Sequence, residues 1–120
     1  MSWLLVAVGG SLGAAARYLL DRAIATRQTG PFPLGTLVVN VTGSIALGAL
    51  LGLAVAHRVP SSVVTWAGTG FLGAYTTFST FTFETVRLLE DGVWRYAAWN
   101  LALSGPLSFT GALVAFLAVR

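Results

Sequence analysis

The stretch GAYTTFSTFTFE, Gly73–Glu84, sets five serine and threonine hydroxyls and three phenylalanines in a run that carries no charge before its last residue. It lies in a segment, Val63 to Phe83, that is otherwise apolar enough to cross a membrane. In hydrocarbon an unsatisfied polar group costs several kcal/mol, so each hydroxyl needs a partner. One serine or threonine can bond back to a carbonyl three or four residues earlier. Thr76, Thr77, Ser79, Thr80 and Thr82 instead go right round a helix that turns by about 100° per residue, so some of them must face the protein. β-Branched residues beside Gly73 also weaken a helix locally. The stretch therefore reads as a helix broken within the membrane. Carbonyls freed between Gly73 and Thr77 would then need a donor or a small hard cation.

Outward from this segment, three more apolar runs are visible: Trp3 to Leu20, Leu34 to Ala56 and Ala97 to Val119. Each is long enough for a hydrocarbon core about 30 Å thick, which needs roughly 20 helical residues. The 120 residues are 56% hydrophobic and only 9% charged, where a soluble domain has about a quarter charged. The expectation is an all-α membrane protein with four transmembrane helices, the third of them broken, forming a single domain over residues 1–120. Short breaks at Pro31, Pro33 and Pro60 and the charged segment RLLEDGVWR, Arg87–Arg95, leave no room for a soluble domain. The first run lacks a basic region before it and is followed by Arg17 and a Gly/Pro loop, so it reads as a permanent span. Trp3, Trp66, Trp94, Tyr96 and Trp99 fall near span ends, where amphipathic rings anchor to the interface.

There is no cysteine, which excludes thiol catalysis and disulfide scaffolding, and the one histidine, His57, sits in the short HRVPSS turn as a solvated residue. The net charge of +3 comes from scattered arginines, with no run suited to nucleic acid; anionic lipid headgroups are the simpler partner. No nucleophile is paired with a base, so an enzyme is not expected. Gly9 with Gly13, Gly10 with Ala14, Gly48 with Gly52 and Gly70 with Ala74 recur at helical spacing, and small residues let membrane helices approach closely. Helices packed that tightly leave no central lumen, so a polar path must follow a groove, between subunits. Arg58 and Arg120 on the face of both termini stand against Arg17, Arg22, Arg27, Arg87 and Arg95 on the other, a bias of 2 to 5 that falls to 2 to 3 if Arg17 and Arg87 are engaged in the protein.

Phe78 and Phe81 are three residues apart and share a helical face, with Phe71 one heptad before. Such a stripe suits packing, yet ring edges carry partial positive charge and can help an anion cross. Asn40 stands alone in the second run, and Asn100, Ser104 and Ser108 form a ladder four apart on the fourth, all neutral donors. Gly105 and Pro106 are expected to loosen the fourth helix and leave the carbonyl of Ala102 without its donor. Arg17 is close enough to pair with Asp21 and reads either as snorkelling to the interface or as marking a vestibule, and Glu84 is placed to pair with Arg87.

With these residues in view, the chain resembles the small fluoride channels of the Fluc, or CrcB, family. The likeness rests on GGSLGAAARY (Gly9–Tyr18), GTLVVNVTGS (Gly35–Ser44) and above all GTGFLGAYTTFSTFTFE (Gly68–Glu84), in order and over nearly the whole chain. The resemblance implies an antiparallel, dual-topology dimer with two fluoride pores at the interface, a central structural Na+, and passive export across the cell membrane. By position, Phe78 and Phe81 would be the pore phenylalanines, Asn40 a pore donor, and Ser104 and Ser108 the polar track. Gly73 and Thr76 would offer carbonyls to sodium, Thr77, Ser79 and Thr80 would supply hydroxyls near the break, and Arg17 would sit at a vestibule. Two departures stand out: Asn100, where the family often has tyrosine, and Tyr75, where a small aliphatic residue is usual. The resemblance leaves open a homodimer or a heterodimer with a sister chain. The alternative, a small multidrug-type proton-coupled exporter, resembles proteins built on a glutamate in the first span, and residues 1–20 contain no acid. Fluoride is small and strongly hydrated, so a path must replace its water with many neutral donors, because a fixed cation could hold it too tightly.

Overall fold

The computed structural model describes residues 2–120, and the elements among them are helical. Helix α1 covers Ser2–Ala25, α2 Leu34–Val55, and α6 Trp94–Val119. These three are long and apolar enough to cross a membrane. Between α2 and α6 the chain is built from shorter pieces: α3 (Ser61–Val63), a wide π-helical stretch (Val64–Leu72), α4 (Gly73–Tyr75) and α5 (Phe78–Glu90). The whole measures 48 × 29 × 22 Å, its length comparable to a bilayer with its headgroups, about 40–45 Å.

The expected break is present and falls on two residues. Thr76 and Thr77 are extended, with ψ of 159° and 123°, and α5 restarts at Phe78 with Thr77 as its N-cap. The Thr77 hydroxyl accepts the N–H of Thr80 at 3.2 Å, satisfying one of the donors that a new helix leaves exposed. By contrast, Pro106 does not interrupt α6, which runs unbroken through it.

Glycine governs how the helices meet. The most extensive pairing is α2 on α6, followed by α1 on the π-helical stretch. On α1, a Cβ at Gly9 would run into the carbonyl of Trp66 and one at Gly13 into that of Phe71, so this face of α1 lies directly on backbone. On α2, Gly48 meets the carbonyl of Ala112, and a Cβ at Gly52 would come within 2.7 Å of that of Phe116. The spacing of four on each helix creates a flat strip, as the small-residue pattern implies. Helix α2 is closed just past its end by His57, a left-handed residue with φ of 58°, whose N–H bonds the carbonyl of Ala54 at 3.0 Å while that of Arg58 reaches Leu53 at 2.9 Å. This is the usual left-handed closure of a helix, here made without glycine.

Two expected ion pairs do not form. Among the described residues the ion pair within 4.0 Å is Arg87 with Asp91, both well exposed. Glu84 lies near Thr36 and near Asp21, a like charge, and makes no ion pair with Arg87. Asp21 does not pair with Arg17: its carboxylate sits against Gly35 in the first turn of α2, where the helix's partial positive charge favours it. Helical spacing put both pairs within reach, but the carboxylates lie against other elements.

Candidate functional site: a neutral groove at the helix break

The interruption of the third segment is held by a side chain from a different helix. Asn40, on α2, donates from Nδ2 to the carbonyl of Thr77 at 2.8 Å and accepts the Thr77 N–H on Oδ1 at 2.8 Å. One amide thus satisfies both polar groups of an extended residue that has no helical partner for either. The arrangement has a second effect. In an uninterrupted helix the Thr77 N–H would bond the carbonyl of Gly73, and the Thr80 N–H that of Thr76. The first goes to Asn40 and the second to the Thr77 hydroxyl, so the carbonyls of Gly73 and Thr76 have both lost their helical donors. Oxygen atoms of this kind are the ligands a small hard cation prefers. Among the described residues, no group of three or more His, Cys, Asp or Glu is placed to hold a metal, so a cation here would rest on backbone oxygen.

Beside the break lies a cavity of about 260 Å³, lined by Asn40, Ser44, Thr76, Thr77, Phe78, Phe81, Ser104, Gly105 and Ser108. Every lining side chain is uncharged. Asn40, Thr77, Phe78, Phe81, Ser104 and Ser108, singled out in the sequence from three separate segments, are therefore brought to one wall. The two rings stand 5.9 Å apart at an angle of 44°, and Phe78 is 79% exposed on the surface of the single chain.

Other residues lie elsewhere. Ser79 and Thr80 do not line the groove; they gather around the Thr77 hydroxyl, which lies 3.4 Å from Ser79 Oγ and donates to Thr80 Oγ1 at 3.1 Å. Gly73 is one turn behind the break, and Arg17 is half-buried on α1 away from the cavity. Sequence reasoning missed Ser44, although it stands one helical turn from Asn40 in the same quoted motif and the spacing of four was available as a signal.

Which donors remain available decides what the groove can bind. The Thr76 hydroxyl donates to the carbonyl of Leu72 at 2.9 Å. Ser104 donates to Asn100 Oδ1 at 3.1 Å, and Asn100 in turn donates to Thr85 at 2.9 Å. Ser108 is different: its Oγ is buried and, among the described residues, has no hydrogen-bond partner. Asn40 also keeps its second N–H, since an amide carries two. The upper ladder on α6 is thus divided, with Asn100 and Ser104 tied into the protein and Ser108 free to serve the groove.

Asn100 is fully buried, at 0% exposure, and joins α6 to α5. Replacing it with alanine leaves Ser104 without an acceptor and Thr85 without a donor. The expected loss is about 1–2 kcal/mol of stability, the scale of a buried hydrogen bond in a membrane protein. Thermal unfolding of the detergent-solubilised protein, followed by size-exclusion chromatography of heated samples, measures it as a lowered midpoint.

Tyr75 fills the space above Gly43. Its ring stacks on Phe71 at 5.9 Å and 17°, and its hydroxyl lies 3.0 Å from that of Thr42 on α2. The larger residue therefore adds a second tie between α2 and the residues just before the break.

Comparison with known proteins agrees with the geometry. Residues 4–118 match the family described as CrcB-like protein, Camphor Resistance (CrcB). A protein of Nocardia farcinica named fluoride-specific ion channel FluC 1 is 52% identical over 100 residues, covering 83% of this chain and 68% of the relative. Fluoride-specific ion channel FluC 2 of Moorella thermoacetica is 49% identical over 117 residues, covering 98% of this chain and 93% of the relative. FluC 1 of Frankia casuarinae is 48% identical, also over 117 residues, covering 93% and 91% respectively. A match that spans α1, the broken segment and α6 leaves one assignment: the chain belongs to the CrcB family.

Proposed function

We propose that this chain is a fluoride-selective channel through which fluoride leaves the cell passively. The observation that carries the reading is the groove itself, a polar path at a helix break whose lining has donors and ring edges but no charge. A fixed cation would bind fluoride too tightly for rapid release, whereas several weak neutral donors allow the ion to enter and to leave. The free N–H of Asn40 and the unpartnered hydroxyl of Ser108 are the donors that meet the ion, and the edges of Phe78 and Phe81 carry it along the exposed side. Relatives named as fluoride-specific channels support the choice of ion.

In this proposal the broken segment is a fourth span, and the groove is closed by a second subunit inserted in the opposite orientation, giving two pores along the interface. The exposure of Phe78 supports that reading, because a bare aromatic ring beside a polar groove is more stable when covered. The donor-free carbonyls of Gly73 and Thr76 would hold a structural sodium ion at the centre, where it would fix the two halves of the broken segment. Arg17 would stand at the pore entrance, and Ser79 and Thr80 would support Thr77 in place.

The test is efflux from proteoliposomes containing the purified chain alone, followed with fluoride and chloride electrodes. Rapid fluoride loss with little chloride loss is expected; equal loss of both ions would remove the selectivity, and silence of the chain alone with activity beside a co-expressed homologue would show a heterodimer. Phe81→Ile is expected to slow fluoride efflux by about tenfold, the scale of a lost ring-edge contact of about 1.4 kcal/mol, while leaving the elution volume unchanged.

A further inference from the structure

A second cavity lies apart from the polar groove. It has a volume of about 590 Å³, more than twice the other, and lies where α1 ends and α2 begins. Leu20, Ala23 and Ile24, spaced three and four apart on one face of α1, form its wall with Leu34 at the start of α2. Over this apolar wall sits a polar rim, Arg27 and Thr29, both exposed. The N–H of Arg27 bonds the carbonyl of Ile24 at 3.1 Å, a tight turn that sets the cation directly beyond the apolar face. Gln28, also on the rim, is engaged with the carbonyl of Phe32. Among the described residues no carboxylate lines the cavity: Asp21, on the same turn of α1, faces Gly35.

We infer that this cavity binds one anionic phospholipid, its phosphate on Arg27 and Thr29 and an acyl chain along Leu20, Ala23, Ile24 and Leu34. The charge of the rim is complementary to a phosphodiester, and the layering, cation above hydrocarbon, matches the layering of a lipid at the bilayer interface. A free phosphate would use the rim and leave the apolar wall without a role, so the occupant is lipid. The site is separate from the groove at the helix break, and its occupancy does not depend on which ion that groove conducts.

Native mass spectrometry of the purified protein with phosphatidylglycerol or phosphatidylcholine of identical chains tests this. Phosphatidylglycerol is expected to be retained at one molecule per chain, about fivefold more than phosphatidylcholine, the scale of one arginine acting on an anionic headgroup. Arg27→Gln should abolish that preference, Ala23→Trp should lower retention of both lipids by filling the wall, and Arg58→Gln at the opposite end should change nothing. Elution as a single peak verifies that each variant is folded. The proposal is overturned if Arg27→Gln retains the preference, or if glycerol phosphate without acyl chains displaces the lipid as well as phosphatidylglycerol does.

Discussion

Asn40→Asp is expected to cut fluoride efflux by more than about a hundredfold while the protein still elutes as the wild type does. The aspartate can accept the Thr77 N–H as Asn40 Oδ1 does, so the extended residue keeps one of its two bonds. Ionised, it cannot donate to the carbonyl of Thr77, which loses its partner at 2.8 Å. The larger effect is electrostatic. An ionised carboxylate would face the path of an anion at contact range, where two unit charges 4 Å apart repel by about 4 kcal/mol at an effective dielectric constant of about 20. That energy corresponds to about a thousandfold in occupancy, and protonation of part of the population in a poorly hydrated site reduces it toward a hundredfold. Proteoliposome efflux measured with a fluoride electrode reads the result directly; flux within twofold of wild type would place the ion's path elsewhere.

Gly48→Val tests the packing with a comparably large effect. A Cβ at this position would run into the carbonyl of Ala112, and backbone cannot move aside as a flexible side chain can. Helices α2 and α6 form the most extensive pairing in the fold, so separating them opens the wall that holds Asn40 opposite Ser104 and Ser108. Overpacking typically costs about 1–3 kcal/mol, and a clash with backbone lies at or above the upper end. The expected outcome is loss of the monodisperse peak or a fall of the thermal midpoint well beyond that of Asn100→Ala. Gly105→Ala provides the opposite sign, since a Cβ there meets open space within a helix, and exchange of glycine for alanine inside a helix gains about 0.5–1 kcal/mol. A Gly48→Val protein as stable as the wild type would mean that the two helices are not in backbone contact.

The broken segment was legible because its signal is local. Hydroxyls placed all round a helix within Thr76 to Thr82 have no uniform face to satisfy them, and the chain resolves the conflict by leaving the helix at Thr76 and Thr77. The glycine strips were legible for the same reason, since a spacing of four defines a face whatever lies opposite. What could not be read was the partner across a long separation. Nothing near Asn40 in the chain indicates that its amide closes on Thr77, 37 residues away. Nor does the ladder of Asn100, Ser104 and Ser108 show that two members bind each other and Thr85 while the third is left unpaired. Glu84 and Asp21 misled for a related reason: a cation stood one turn away on the same helix, but Thr36 and Gly35 approached from α2.

The junction at Thr77 also has a mechanical side. Because α4 and α5 are joined by two extended residues, with Tyr75 and Thr77 each tied to α2, the direction in which α5 leaves the junction is set by where α2 lies. A shift of α2 along its axis would tilt the carbonyls on one side and the ring-bearing face on the other at once.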